Sequence, residues 1–201
     1  MINFNQILPR LYVGSCPEGV DDIERLINDC HITAVLNLQT DGDLRERVPD
    51  WPALETSYKN HHIELERVPM GDFDYDDQRR RLPQAVKALT RQLASGHTTY
   101  LHCNAGAGRS PLVVMAYLYW CCNLGLEEAT NHVKERRRCS PYEELLELTR
   151  QDLLEGNDIQ ARISHRASQL LHESQNKPHD AQRCWADAER EVLRELLGLA
   201  P

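Results

Sequence analysis

Apolar and polar positions change period in a regular order along this chain. Residues 4–13 predict two short strands about a turn at Pro9-Arg10. Asp21 and Asp22 open a helix with Ile23, Leu26 and Ile27 on its inner face, ending by His31. The apolar run Ile32-Thr33-Ala34-Val35-Leu36-Asn37-Leu38 has strand length and suits a buried parallel strand. Residues 39–52 are polar, with Gly42 and two prolines, and predict a loop; Trp51 to Asn60 predicts a short helix. A strand is expected from Ile63 to Met70, then an acidic loop, Gly71-Asp72-Phe73-Asp74-Tyr75-Asp76-Asp77. Val86, Leu89 and Leu93 space a helix from Pro83 to Leu93, which Gly96 ends. Thr98 to His102 is a further strand, and Ser110 to Cys122 a long apolar helix. Two amphipathic helices follow near 126–137 and 141–154. Strands alternating with helices imply an α/β fold, a central and largely parallel sheet flanked by helices.

The pattern shifts at Glu155-Gly156-Asn157-Asp158. Beyond it two helical segments are separated by Asn176-Lys177-Pro178. Ile159, Ile163, Ala167, Leu170 and Leu171 share one face; Ala181, Trp185, Ala188, Val192 and Leu196 share another. The expected organisation is a catalytic domain over 1–155 and a C-terminal helical hairpin over 156–201.

A chain of 201 residues suits one domain of this size with a short appendage. The net charge of −8 disfavours nucleic acid and anionic membrane as partners, so any bound phosphate must be held by local groups against the global field. No apolar stretch has signal-peptide or membrane-spanning length. Seven cysteines and nine histidines show neither disulfide nor zinc spacing. A reducing cytoplasm and no metal or other cofactor are the expectations.

Chemistry concentrates in His102-Cys103-Asn104-Ala105-Gly106-Ala107-Gly108-Arg109-Ser110. Cys103 follows a strand, a turn with two glycines comes next, and Arg109, Ser110 and Pro111 stand where a helix begins. Such a turn aims backbone N–H groups inward at a helix N-terminus, which is an anion site. Gly106 and Gly108 are expected to take backbone angles a side chain would oppose. The same dipoles favour thiolate over thiol at Cys103, ready for in-line attack on phosphorus. Arg109 offers a planar fork to two phosphate oxygens, and the Ser110 hydroxyl can hydrogen-bond the sulfur as it departs. A nucleotide-binding loop would need lysine where Arg109 stands, and a dinucleotide fingerprint a glycine where Pro111 stands. The competing bland reading, a structural cysteine in a chance turn, does not account for five matched positions at a strand–helix junction.

These residues resemble the signature of the cysteine-dependent protein tyrosine and dual-specificity phosphatases. Within that superfamily, Cys103-Asn104-Ala105-Gly106-Ala107-Gly108-Arg109 is most similar to the glucan phosphatase branch of laforin-like and plant enzymes. The resemblance covers roughly residues 4–154 and includes Leu11 to Pro17, Ile32 to Val35, Leu82 to Val86 and Gly96-His97-Thr98. Gly71 to Asp74 and Arg138 to Pro141 look like the plant members. It implies a small α/β domain with a shallow, open site for a phosphate on a bulky scaffold. Laforin-like and some plant members carry a carbohydrate-binding module and at least one plant member lacks it; this chain has neither the length nor the strand pattern for one. The tail from residue 158 resembles a short bacterial module of unknown function.

An alkyl phosphate has a poor leaving group and needs a general acid. The family acid precedes its cysteine by about thirty residues, and Asp72 stands at that spacing, first in Asp-Phe-Asp; Asp74 is the alternative. Phe73, Trp51 and Tyr75 are the aromatic candidates for packing on sugar rings, and Tyr142 a further one, beside loop positions Asn104 to Gly108 for the phosphate. Tyr117, Tyr119 and Trp120 are assigned to the core, His102 to bracing the loop, and the basic run from Lys134 to Arg138 to a solvated helix end. The functional expectation is release of phosphate from a glycogen- or starch-like polymer through phospho-Cys103. The alternative is a protein phosphatase acting on phosphotyrosine and phosphoserine or phosphothreonine. A non-catalytic phosphate reader is a third class, disfavoured by the presence together of Cys103, Arg109 and the acid loop.

Overall fold

The computed structural model describes residues 2–173 and 181–199. Five strands form one sheet: β1 (Phe4–Leu8), β2 (Leu11–Gly14), β3 (Ala34–Asn37), β4 (Glu64–Arg67) and β5 (Thr99–His102). Their order is β1-β2-β5-β3-β4. β1 and β2 pair antiparallel across the Pro9-Arg10 turn, while β2 with β5, β5 with β3 and β3 with β4 are parallel. Every residue of β3 and β5 is buried, and neither segment carries a charged Asp, Glu, Lys or Arg or alternates with solvent-facing positions.

Adjacent strand residues feed two cores. Val35 and Tyr100 join Ile23, Leu26, Leu54 and Tyr58, under α1 (Val20–Cys30) and α3 (Trp51–Asn60). Leu36 and Leu101 join the larger core under α4 (Tyr75–Ala94), α5 (Arg109–Cys121), α6 (Leu126–Arg136) and α7 (Glu144–Leu154). α5 is buried along nearly its whole length, because sheet and helices cover it from all sides. Each large aliphatic side chain so enclosed contributes about 1.5–3 kcal/mol. The helix that begins at the cysteine loop is therefore also the axle of the core.

Two expected elements are corrected. Residues 39–52 are not all loop: α2 (Asp41–Arg47) lies there, started by a reciprocal capping box between Thr40 and Asp43 and anchored by buried Leu44. The helix expected from Pro83 begins eight residues earlier, at Tyr75, with Asp74 as its cap and Pro83 inside it. An interior proline costs about 3 kcal/mol, and burial of Leu82, Val86, Leu89 and Leu93 offsets that cost. The first turn of α4 thus takes up the second half of the acidic loop.

α8 (Asn157–Glu173) and α9 (Ala181–Leu196) pair as a hairpin, with Arg162–Glu195 (2.6 Å) and Arg166–Glu191 linking them. The expected connector Asn176-Lys177-Pro178 lies outside the described residues. α9 packs on α5 and α7, and Ile163, Ala167, Ala188, Val192 and Leu193 extend the larger core. The α9 face differs from the expected one. Cys184 is buried, whereas Ala181 and Trp185 face solvent, the Trp185 indole N–H donating to Glu189 one turn on.

Candidate active site

Cys103 follows β5, at the carboxyl end of the sheet's central strand, where α/β folds place ligand crevices. The loop behind it is fastened from outside. The Asn104 carbonyl accepts the Cys16 N–H at 2.9 Å, and the Ala107 carbonyl accepts the Ser140 N–H at 2.8 Å. Between them, the Ala105 and Gly106 carbonyls accept Nη2 and Nε of Arg137. N–H and C=O point opposite ways in a trans peptide, so four successive carbonyls held outward turn the amide donors inward. Gly106 has φ +66, and a Cβ there would lie 2.2 Å from the Gly14 carbonyl oxygen. Gly14 in turn has no room for a Cβ beside the Tyr100 hydroxyl. Gly108 departs from expectation: its φ is −114° and a Cβ would meet nothing within 4 Å, so no backbone constraint demands glycine there.

Cys103 is almost fully buried and Arg109 completely so. Nη1 of Arg109 donates to Asp43 Oδ2 and to the Met70 carbonyl, each at 2.8 Å. Its other edge, Nε with Nη2, makes no hydrogen bond; Nη2 lies 2.9 Å from Asp72 Oδ2, near enough for an ion pair but not aligned for a hydrogen bond. Buried donors without partners mark a place for a ligand acceptor, and this edge has the spacing of an Arg–phosphate fork. The Ser110 hydroxyl is buried and makes no hydrogen bond, so the bond expected to the Cys103 sulfur is not formed in this state. His102 stacks on Tyr100, and its Nδ1 lies 3.2 Å from the Cys103 carbonyl oxygen. Burial pushes its imidazole down to about 4, so it is neutral.

The acidic loop separates its carboxylates by task. Asp74 caps α4 through the Asp77 N–H. Asp77 accepts the Gly71 N–H at 2.7 Å while Gln78 donates to the Gly71 carbonyl, so the first turn of α4 grips the loop just before Asp72. Asp76 is exposed on that turn. Asp72 alone of the four reaches Arg109. Phe73 beside it is 86% exposed with φ +54°, an uncommon conformation for a bulky residue and a costly place to put apolar area.

The other aromatic candidates are less open. Tyr75 packs edge-on against Tyr142, with centroids 5.4 Å apart, and leans on the core. Trp51 is half-buried under the Arg67 guanidinium and lines a cleft of about 420 Å³ with Leu44, Val48, Pro49 and Pro52. Trp120 is core, as expected. Asn104 turns its side chain away from the nest, accepting from Gln39 and donating to Asp43, so only its backbone faces a ligand.

Sequence reasoning misses two residues. Arg137 is not on a solvated face but buried, bracing the loop and donating to Asn3 and Asn5 with its remaining nitrogen. Nothing in the run from Lys134 to Arg138 sets it apart from its neighbours. Asp43 lies inside the segment expected to be loop; Thr40-x-x-Asp43 is its signal, the pattern of a capping box. Burial alone would raise the Asp43 carboxyl, but hydrogen bonds from Arg109, Asn104 and Thr40 bring it down to about 2. Among the described residues, no three His, Cys, Asp or Glu side chains cluster as metal ligands.

A thiol and a guanidinium edge free of hydrogen bonds, in an amide-lined loop after a parallel strand, define the class of cysteine-based phosphate-binding α/β domains. The chain belongs to the dual specificity phosphatase catalytic-domain family, whose model matches residues 11–151. It is 34% identical over 157 residues to the amyloplastic phosphoglucan phosphatase DSP4 of Castanea sativa, covering 77% of this chain and 42% of that protein. It is 31% identical over 146 residues to laforin of Mus musculus, covering 68% and 44%. Dual specificity protein phosphatase 2 of Mus musculus is 31% identical over 135 residues, covering 66% and 37%. The chain therefore spans less than half the length of these curated relatives. The crystal structure of PTPMT1 shares the fold, with TM-score 0.61 and 23% identity, over 81% of this chain and 99% of that one.

Proposed function

We propose that this chain is a phosphatase that releases phosphate from phosphorylated glucan through a phospho-Cys103 intermediate. The observation that carries the chemistry is the set of four outward-held carbonyls around a buried thiol, with the Nε–Nη2 edge of Arg109 left for an oxyanion. In the first step Cys103 Sγ bonds to phosphorus, the ester P–O bond breaks, and the leaving alkoxide takes a proton from Asp72. In the second, Asp72 accepts a proton from water as the water oxygen attacks phosphorus, and the thiolate departs toward the Ser110 hydroxyl. Amides of residues 104–108 and the Arg109 fork stabilise charge on the equatorial oxygens.

Phe73 supports the glucan assignment. An exposed ring held beside the acid offers a flat face to a sugar, and the similarity to phosphoglucan phosphatases points the same way. Trp51 and Tyr75 complete the proposed contacts. The reducing cytoplasm fits a site that works only as a thiolate, and all seven cysteines are unbridged.

The test compares phosphate release from solubilised amylopectin with release from phosphopeptides. Preference for the polymer is expected; a strong preference for phosphopeptides would replace glucan by protein as the substrate. Cys103→Ser should lower turnover of a small aryl phosphate by roughly four orders of magnitude or more with the fold intact, as read by steady-state rates and circular dichroism. A variant that keeps most of its rate would mean a different nucleophile.

A further inference from the structure

Two carboxylates flank the one catalytic guanidinium, and their surroundings differ. Asp72 stands on an exposed loop, its side chain 34% accessible, with Arg109 as its partner. Asp43 is 13% accessible and accepts from Arg109 Nη1, Asn104 Nδ2, the Thr40 amide and the Thr40 hydroxyl. An incoming phosphate dianion competes for the Nε–Nη2 edge, where Asp72 sits, and leaves the Nη1 corner untouched. Asp72 is thus the carboxylate that can yield and take up a proton. Asp43 is held in its charged form by four donors.

We propose that Asp43 is a positioning residue for phosphate binding, an inference that rests on Arg109 being the phosphate fork. A guanidinium is planar, so fixing Nη1 fixes the direction of its Nε–Nη2 edge. Asp43 grips Nη1 with one oxygen and the loop residue Asn104 with the other, at 2.6 Å. Asn104 is set in turn by Gln39, whose Nε2 donates to Asn104 Oδ1 at 2.9 Å; Gln39 is wholly buried, and its own carbonyl is held by Arg67. Donor directions agree along the series, so the Asn104 amide has one orientation and offers Asp43 its NH₂. Fork and nest are thereby keyed to each other through one carboxylate, which neither the loop nor the arginine can arrange alone.

The experiment needs no glucan. Iodoacetate and iodoacetamide alkylate the same Cys103 thiolate, but only the iodoacetate carboxylate uses the Arg109 edge. In Asp43→Asn the iodoacetate-to-iodoacetamide rate ratio should fall roughly tenfold to a hundredfold, the range for a charged hydrogen bond. Tungstate should bind correspondingly more weakly, and kcat on aryl and alkyl phosphates should drop in the same proportion. Asp43→Glu, which keeps the charge, should recover part of the ratio, and it carries the test should Asp43→Asn not fold. Asp50→Ala is the stability control, since it removes the α3 cap that Asp50 makes on the Ala53 N–H. An unchanged ratio in a folded Asp43 variant overturns the proposal, as does an equal fall in Asp50→Ala. A loss confined to alkyl phosphates overturns it too, because it would make Asp43 the acid. Failure of the phosphatase reading looks different: the wild-type protein would then show no preference for iodoacetate and no turnover.

Discussion

The two sides of the cysteine loop are built on opposite principles. Behind it the backbone is held at every step: Arg137 and two backbone amides hold four carbonyls, Gly14 and Gly106 meet without room for a side chain, and neutral His102 stacks on Tyr100. In front, the acid loop exposes Asp72 and Phe73 and is held at Gly71, at the Asp74 cap and by the Asp72–Arg109 ion pair. The rear surface fixes where charge is stabilised and has no reason to move. On the proposed mechanism the front must exchange partners, because Asp72 touches the same arginine that the phosphate would use. Variants behind the loop should therefore harm all substrates alike, and variants in front should discriminate among them.

Asp72→Ala is the largest expected break in that symmetry. It should slow an alkyl phosphate by about 10²–10⁴-fold yet slow an activated aryl phosphate far less, since a good leaving group needs no proton. Steady-state rates on the two esters decide it; if Asp74→Ala gives this pattern instead, the acid is two residues further on. Arg137→Met tests the rear. It leaves the Ala105 and Gly106 carbonyls without their donor, at about 1–3 kcal/mol for the buried Gly106 group. The expected result is a roughly hundredfold fall in kcat on both esters together with a lower melting temperature. Discrimination between the esters would show that the rear is not merely a brace.

A third test uses pH. His102 titrates near 4 in the folded chain against 6.5 ordinarily, so unfolding between those values takes up a proton. Stability should be full above pH 6.5, decline as pH falls, and have lost this contribution near pH 4, by up to about 3 kcal/mol. Urea unfolding at pH 7 and pH 4.5 should show a smaller difference in His102→Asn than in the wild type. The mildest effect belongs to the front edge. Phe73→Ala should raise KM for amylopectin several-fold and leave a small aryl phosphate nearly unchanged, because ring contact acts on the scaffold and not on the phosphate. Equal changes on both substrates would remove Phe73 from substrate recognition.

The sequence exposes these two sides unequally. Cys103 to Ser110 is contiguous and its chemistry is local, so the proposed nucleophile, fork and nest are legible from the order of residues alone. Asp72 follows from spacing, and the structure separates it from Asp74, Asp76 and Asp77 by giving two of those backbone duties. The supports are hidden because they arrive from far along the chain. Arg137 lies in a basic run that reads as solvated, and its burial depends on where α6 ends. Trp185 shows the reverse error: an apolar residue at helical spacing reads as inward, and Cys184 holds that place. Periodicity gives a face to within about one residue, which is too coarse when neighbours differ in what they can bury.

Asp43 has a consequence for the order of folding. α2 is seven residues long, well below the length at which an isolated helix persists in water. The carboxylate that closes its capping box is the one that binds Arg109 and Asn104, on a segment more than sixty residues away in sequence. Nucleating this helix and assembling the anion site are then a single event, and a late one, because the contact closes a long loop. A chain that has formed its sheet and α5 but not yet seated α2 would look nearly native by helix content while lacking a directed arginine. Recovery of activity on refolding should lag recovery of ellipticity, and the lag would time the arrival of one aspartate.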